Sequence, residues 1–201
     1  MSNFSYRQVE KPNYPILGWL GRMDDNKNWR EFILIAYMLQ ANRFPDLQLW
    51  MYEDPNLAFD GEREAFMNMI YSLKLEDRVT LFSNIPNLDM QYYFSMIADS
   101  GGLLCSTSKV EGGPVSILEA MSCGCPVMTT DSDGVATSVI HNVTGKVYKL
   151  GHISRAVAEA YELMSNPVFR AQIQKNAHQH VSNQFSLDKY CLHFIDMIYA
   201  I

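Results

Sequence analysis

LLCSTSKVEGGPVSILEAMSCGCPVMTT, residues 103–130, decides the fold. Leu103-Leu104-Cys105 is a short apolar run and reads as a strand within 101–106. A loop of small and polar residues follows, then a short helical stretch, 114–121, closed by Gly124. Residues 126–130 read as the next strand. Pro114 suits the first helical position, where a missing N–H does no harm. The amides of Val115 and Ser116 are then expected to be free donors at a positive helix end. Two strands joined through a helix run parallel, by a right-handed crossover.

The same alternation extends in both directions. Toward the N-terminus, Ile16-Leu17-Gly18-Trp19-Leu20 is a strand, and Phe32, Ile33, Ile35, Ala36 and Leu39 share a helical face. Strand 47–52, helix 62–73, strand 79–82 and helix 88–98 follow. Toward the C-terminus a sixth strand is expected in 146–150. From residue 154 the period is helical, with breaks at Asn166-Pro167 and Phe185-Ser186. The expected architecture is α/β: a doubly wound parallel sheet of about six strands, Rossmann-like, with a C-terminal helical extension. Residues 1–14 read as a tail or linker remnant, and 15–201 as one domain.

Composition narrows the function. The formal net charge of −6 argues against a nucleic-acid partner, which calls for a basic face. No apolar segment approaches the roughly 20 residues needed to span a bilayer. No basic start followed by an apolar run marks a secretory signal, so a cytoplasmic location is expected. Asn142-Val143-Thr144 is then a turn rather than a glycosylation acceptor. Cys105, Cys123, Cys125 and Cys191 lack a zinc or thioredoxin spacing and read as small buried hydrophobes. His178 and His180, two residues apart, do not share a helix face, and His193 lies further on, so no metal site is expected.

Open parallel sheets bind ligands beyond the carboxyl ends of their strands, which points to the loops after Leu20, Tyr52, Phe82, Cys105 and Thr130. None carries G-x-G-x-x-G, and Gly145-Lys146 lacks the P-loop glycine. In the first loop, Gly21 is expected to permit a tight turn. Arg22 can fork across phosphate oxygens, and Lys27 adds a compact charge near a helix N-terminus. Alternatively both are solvated cations balanced by Asp24 and Asp25. In the loop of the opening stretch, Glu111 sits beside Gly112 and Gly113, which leave room for a ligand. Glu119 lies among Val115, Ile117, Leu118, Ala120 and Met121, where a carboxylate needs a partner unless it faces solvent.

Glu111 and Glu119 form an E-x7-E pair, and the string from Glu111 to Val127 resembles the signature of group 1 (family 4) retaining glycosyltransferases of the GT-B fold. Gly21-Arg22 with Lys27 is similar to the G-R-x4-K loop of that family. Residues 131–134 and Val143-Thr144-Gly145 resemble its downstream glycine-containing stretch. The likeness runs from about Pro15 to the final helix. It implies the nucleotide-sugar-binding half of a metal-independent transferase. In that likeness Arg22 and Lys27 bind the diphosphate and neutralise the leaving group. Glu111 holds donor-sugar hydroxyls, and amides of Gly113, Pro114's neighbour Val115, and Ser116 contact sugar and phosphate. Glu119 binds the ribose, and backbone near Asn84 and Ile85 reads the base. Arg22, Lys27 and Glu111 are the residues the likeness makes catalytic. Departures stand at Pro114, Thr137, Asn142 and Ser83, where the family often has Gly, Glu, Gly and Gly.

The likeness also implies an N-terminal acceptor-binding domain, absent here because the chain is a piece of a longer protein or because the acceptor half is a partner chain. The implied donor is a UDP- or GDP-linked sugar, with no cofactor. Peripheral membrane association through the acceptor half, and self-association through a terminal helix bearing Tyr190, Phe194, Met197 and Ile198, are further expectations. The competing reading is a non-catalytic nucleotide-sugar-binding or regulatory subunit. A phosphoprotein-receiver-like domain would need acidic residues where Gly21-Arg22 stands.

Overall fold

The structure, a computed structural model, describes residues 4–57, 59 and 61–185. Six strands form one sheet: β1 (Ile16–Leu20), β2 (Gln48–Glu53), β3 (Val79–Ser83), β4 (Leu103–Ser106), β5 (Val127–Thr130) and β6 (Lys146–Tyr148). Every pairing is parallel, and the order is β3-β2-β1-β4-β5-β6. Helices α1 (Trp29–Asn42), α2 (Glu62–Ser72), α3 (Met90–Asp99), α4 (Val115–Ser122), α5 (Ile153–Ser165) and α6 (Pro167–Gln184) cover it.

Strand alternation sorts the core into two layers. Leu17, Trp19, Leu49, Met51, Cys105 and Met128 pack against Trp29, Phe32 and Ile35 of α1, Phe66 and Ile70 of α2, and Ala156, Ala160 and Leu163 of α5. Ile16, Trp50, Tyr52, Leu104 and Val127 pack on the opposite face against Phe94 and Ile97 of α3, Ile117, Leu118 and Met121 of α4, and Ala177 and Val181 of α6. The order reverses between β1 and β4. There the loops after these two strands diverge and leave a crevice.

The doubly wound parallel sheet is as expected from the sequence, with ends shifted by one or two residues. The stretch read as helix 88–98 begins with a 3-10 turn, Asn87–Asp89, before α3. Pro114 does not open α4. Its φ of −81° and ψ of 59° leave it outside, and the helix starts at Val115. The break at Asn166-Pro167 is found: the Asn166 side chain accepts from the Phe169 amide at 3.0 Å, and Pro167 begins α6. Asn142-Val143-Thr144 is a turn, with the Asn142 amide bonded to the Gly145 carbonyl at 2.9 Å. Cys105, Cys123 and Cys125 are buried free thiols, and burial pushes the latter two up to about 12. The segment before β1 has no regular structure, yet Phe4 is buried and the Arg7 guanidinium donates to Gln91 of α3 at 2.8 Å.

Among the described residues, no helix is long and apolar enough to cross a membrane. Cys191, His193, Tyr190, Phe194, Met197 and Ile198 lie outside the described residues.

Candidate functional site

Beyond the carboxyl ends of β1, β2 and β3 lies a cavity of about 390 Å³. Leu20, Gly21, Arg22 and Lys27 line it from the β1 side, Tyr52, Glu53 and Asp54 from the end of β2, and Phe82, Asn84, Ile85, Asn87 and Met90 from beyond β3. Five residues that the sequence points to (Gly21, Arg22, Lys27, Asn84 and Ile85) therefore meet in one hollow.

The first loop is organised by Asp24. Its side chain is buried, accepts the Lys27 amide at 2.7 Å and pairs with the Arg22 guanidinium at 3.1 Å. Gly21 has an ordinary negative φ, so conformational freedom is not its role. A Cβ there would lie 2.9 Å from Cγ of Lys27, so the missing side chain makes room for the lysine stem. Lys27 then reaches across the crevice. Its Nζ donates to Oε2 of Glu111 at 2.8 Å, and both side chains are only partly exposed, 24% and 15%. The cation of one loop and the carboxylate of the other thus form one ion pair beside the cavity. Arg22 stays half exposed at 51%, which leaves most of its fork open. Asp25 pairs with Lys109 and not with Arg22.

Gly134 supports Glu111 from behind. Its φ is +83°, and a Cβ would fall 2.1 Å from the Glu111 carbonyl oxygen, a clash that excludes any side chain. Gly112 and Gly113 face open space, since a Cβ on either meets nothing within 4 Å. The two expected amide donors differ. Val115 already donates to the Gly113 carbonyl at 2.8 Å, because Pro114 folds the chain back on itself. The Ser116 amide has no acceptor among the described residues, so it alone is a free donor at the head of α4. Residues 112–116 do not line the cavity. Nor does Glu111, which is joined to the lining residue Lys27 by its ion pair.

Glu119 does not line the hollow and touches one residue that does. Asn87, a lining residue, donates to it over a long 3.5 Å. Burial raises its carboxyl above the ordinary range, and the Asn87 contact partly opposes this. Asn84 takes the left-handed conformation, φ 56°, and its amide donates to the Glu53 carbonyl at 3.1 Å. That leaves the Ile85 backbone, not the Asn84 N–H, to face a ligand.

Several lining residues lie outside the set that the sequence points to: Tyr52, Glu53, Asp54, Phe82, Asn87 and Met90. Tyr52 stacks on Phe82, with ring centroids 5.0 Å apart, and gives the cavity an aromatic floor. Tyr52 and Phe82 close strands whose following loops are candidates by the strand-end rule, and that is the signal that points to them. Asn87 lies in a turn with no distinguishing pattern. Among the described residues, no group of three or more His, Cys, Asp or Glu side chains could hold a metal ion. His180 instead contacts the Thr137 carbonyl at 3.0 Å.

Residues 3–180 match the family model described as "Glycosyl transferases group 1". The chain belongs to this family. An uncharacterized glycosyltransferase of Haemophilus influenzae is 26% identical over 161 residues, 79% of this chain and 42% of the relative. A 2-deoxystreptamine N-acetyl-D-glucosaminyltransferase of Niallia circulans is 26% identical over 169 residues, 83% of this chain and 40% of the relative. The chain thus spans about two-fifths of the length of these relatives. Among solved structures, the C-terminal domain of a group 1 family protein (LpcC) from Francisella tularensis superposes with a TM-score of 0.77 at 17% identity, covering 92% of this chain and 96% of that one. HepE of Anabaena, solved with UDP and glucose, gives a TM-score of 0.80 at 22% identity, covering 94% of this chain and 49% of that one. These likenesses show a shared fold.

Proposed function

We propose that this domain of a group 1 glycosyltransferase binds a nucleotide-diphospho-sugar and serves as the donor half of a retaining, metal-independent transferase. The acceptor is held by a second domain or a partner chain, and the reaction belongs to the cytoplasm. One observation carries the reading: Lys27 and Glu111, 84 positions apart, meet at the switch point of the sheet beside a cavity that continues to Ile85.

In this reading the diphosphate takes the Arg22 fork and the Lys27 ammonium, aided by the Ser116 amide at the head of α4. Departure of the diphosphate from the anomeric carbon builds negative charge on the bridging oxygen. Two fixed cations stabilise that charge without a metal. Glu111 exchanges its bond to Lys27 for hydroxyls of the sugar. Glu119 accepts the ribose hydroxyls, and the nucleobase lies over the Tyr52–Phe82 floor against Ile85. The complex of HepE with UDP and glucose supports a uridine donor class as the first to try.

Calorimetry with UDP and GDP in the presence of a chelator tests this. Binding is expected without divalent metal, and Arg22→Ala is expected to weaken it about tenfold, the loss of one charge-assisted bond. Absence of binding by either nucleotide at millimolar concentration would refute the reading.

A further inference from the structure

We infer that Asn26 is a positioning residue for the donor site, acting through Glu111. The inference rests on the nucleotide-sugar reading above and assigns a role to a residue that does not line the donor cavity and fills a variable position of the G-R-x4-K loop. Three hydrogen bonds converge on it. Its carbonyl accepts from the Lys109 amide at 2.8 Å. Its side-chain oxygen accepts from the Val110 amide at 3.0 Å, and its side-chain nitrogen donates to the Val110 carbonyl at 3.2 Å. Asn26 thus mimics a strand partner for Val110, with both the N–H and the C=O of that residue satisfied by one amide side chain.

Position in the chain gives the clamp its consequence. Asn26 precedes Lys27, and Val110 precedes Glu111. Fixing the two clamped residues fixes the backbone from which both charged side chains spring. A second tie lies on the other side of Lys27: the Thr107 hydroxyl donates to the Lys27 carbonyl at 2.8 Å and itself accepts from the indole of Trp19 at 3.2 Å. Lys27 is therefore tied by its own carbonyl to the buried start of the β4 loop. Glu111, flanked by Gly112 and Gly113, has no such tie on its C-terminal side. Gly134 approaches its carbonyl but supplies no hydrogen bond to it among the described residues. The Asn26 clamp is what holds Glu111 against the backbone freedom of the glycines that follow.

Only an amide serves here. Aspartate lacks the donor for the Val110 carbonyl, and alanine lacks both groups. Loss of the clamp therefore releases Glu111 but spares Lys27, so sugar binding falls while diphosphate binding is kept.

The test is a double-mutant cycle read by calorimetry on the intact chain, with UDP, GDP, UDP-glucose and GDP-mannose as probes. Asn26→Ala is expected to weaken the nucleotide sugar about tenfold and the matching free diphosphate less than about threefold. Glu111→Gln gives the same split. The double variant is no worse than the weaker single one, because residues acting through one group are not additive. Asn26→Asp, which keeps one of the two side-chain bonds, lies between wild type and alanine. Additive losses overturn the inference, as does equal weakening of diphosphate and nucleotide sugar. Should Asn26→Ala fail to fold, the aspartate variant carries the same cycle. If the wild-type chain binds none of the four probes, it is the donor-site reading that fails; if it binds them and Asn26→Ala changes nothing, that reading stands and this one falls.

Discussion

Lys27, beyond the carboxyl end of β1, and Lys146, the first residue of β6, both pair with glutamate, at 2.8 Å to Glu111 and 2.7 Å to Glu159, yet their surroundings are opposite. Lys146 is fully buried on β6. It also meets Glu162 at 2.5 Å and Asn142 at 2.6 Å, and its ammonium lies 4.8 Å from the ring centroid of Phe169. All three of its protons have acceptors, and Glu159 is further held by Arg155. Lys27 has one acceptor among the described residues, Glu111, and keeps access to a cavity. A cation with every donor satisfied is a structural part. One with donors to spare, facing a hollow, is available to a ligand. The same residue pair thus has two uses, and saturation of the ammonium tells them apart.

Breaking the buried cluster is the harshest way to test that contrast. Lys146→Met leaves Glu159, itself 2% exposed, without its buried partner and with Arg155 as the remaining cation. Removal of one partner from a buried pair costs about 3–5 kcal/mol, and the remaining Arg155 contact places the expected loss near the lower end. Urea unfolding should show a lower midpoint at unchanged slope. Nucleotide affinity of the folded variant should stay unchanged. A stability loss below about 1 kcal/mol would place this cluster with ordinary surface pairs.

Lys27→Met should invert the pattern. The pair is partly exposed, and Glu111 can turn to solvent, so the stability cost is expected to stay below about 1 kcal/mol. Diphosphate affinity should fall about 10–100-fold, the loss of a charge-assisted bond to phosphate. Calorimetry and a melting curve on one preparation separate the two effects. A melting loss as large as that of Lys146→Met would erase the distinction between the two lysines.

The contrast also shows where sequence reading succeeds. The alternation of short apolar runs with helical periods is enough to place about six strands in a parallel sheet covered by helices, but not to give their order. Gly21, Arg22 and Lys27 are legible as a group through the likeness to the G-R-x4-K loop; by themselves Arg22 and Lys27 read equally as solvated cations balanced by Asp24 and Asp25. Saturation is not legible. Nothing in the spacing tells that Lys146 meets two carboxylates, since Glu159 and Glu162 lie on another element and only the packing of α5 on β6 unites them. The chain does bend at Gly21, but what the position needs is clearance for the Lys27 stem, a contact made in space that the sequence does not show. Pro114 misleads because its ring fits the first helical position, while its ψ of 59° belongs to the turn that the Val115 amide closes on the Gly113 carbonyl.

The mildest test concerns Glu119, which touches the lining residue Asn87 and stands between the two extremes, partly buried with one long contact. Burial raises its carboxyl above the ordinary 4.5, so the folded chain holds a proton to higher pH than the unfolded one. The sign follows: the group subtracts from stability at neutral pH, and that penalty is relieved as pH falls through the raised value. Ligand binding has the opposite dependence. Ribose hydroxyls donate to the ionised form, so their contribution is present above the raised pKa and lost as pH drops through it. Nucleotide affinity should therefore weaken on acidification before an ordinary glutamate would titrate, by roughly two- to tenfold for one charged hydrogen-bond acceptor. Phosphate protonation affects any protein equally, so the measurement is the difference between wild type and Glu119→Gln across the same pH series. A difference that appears only near 4.5, or none, would remove Glu119 from the ribose end of the site.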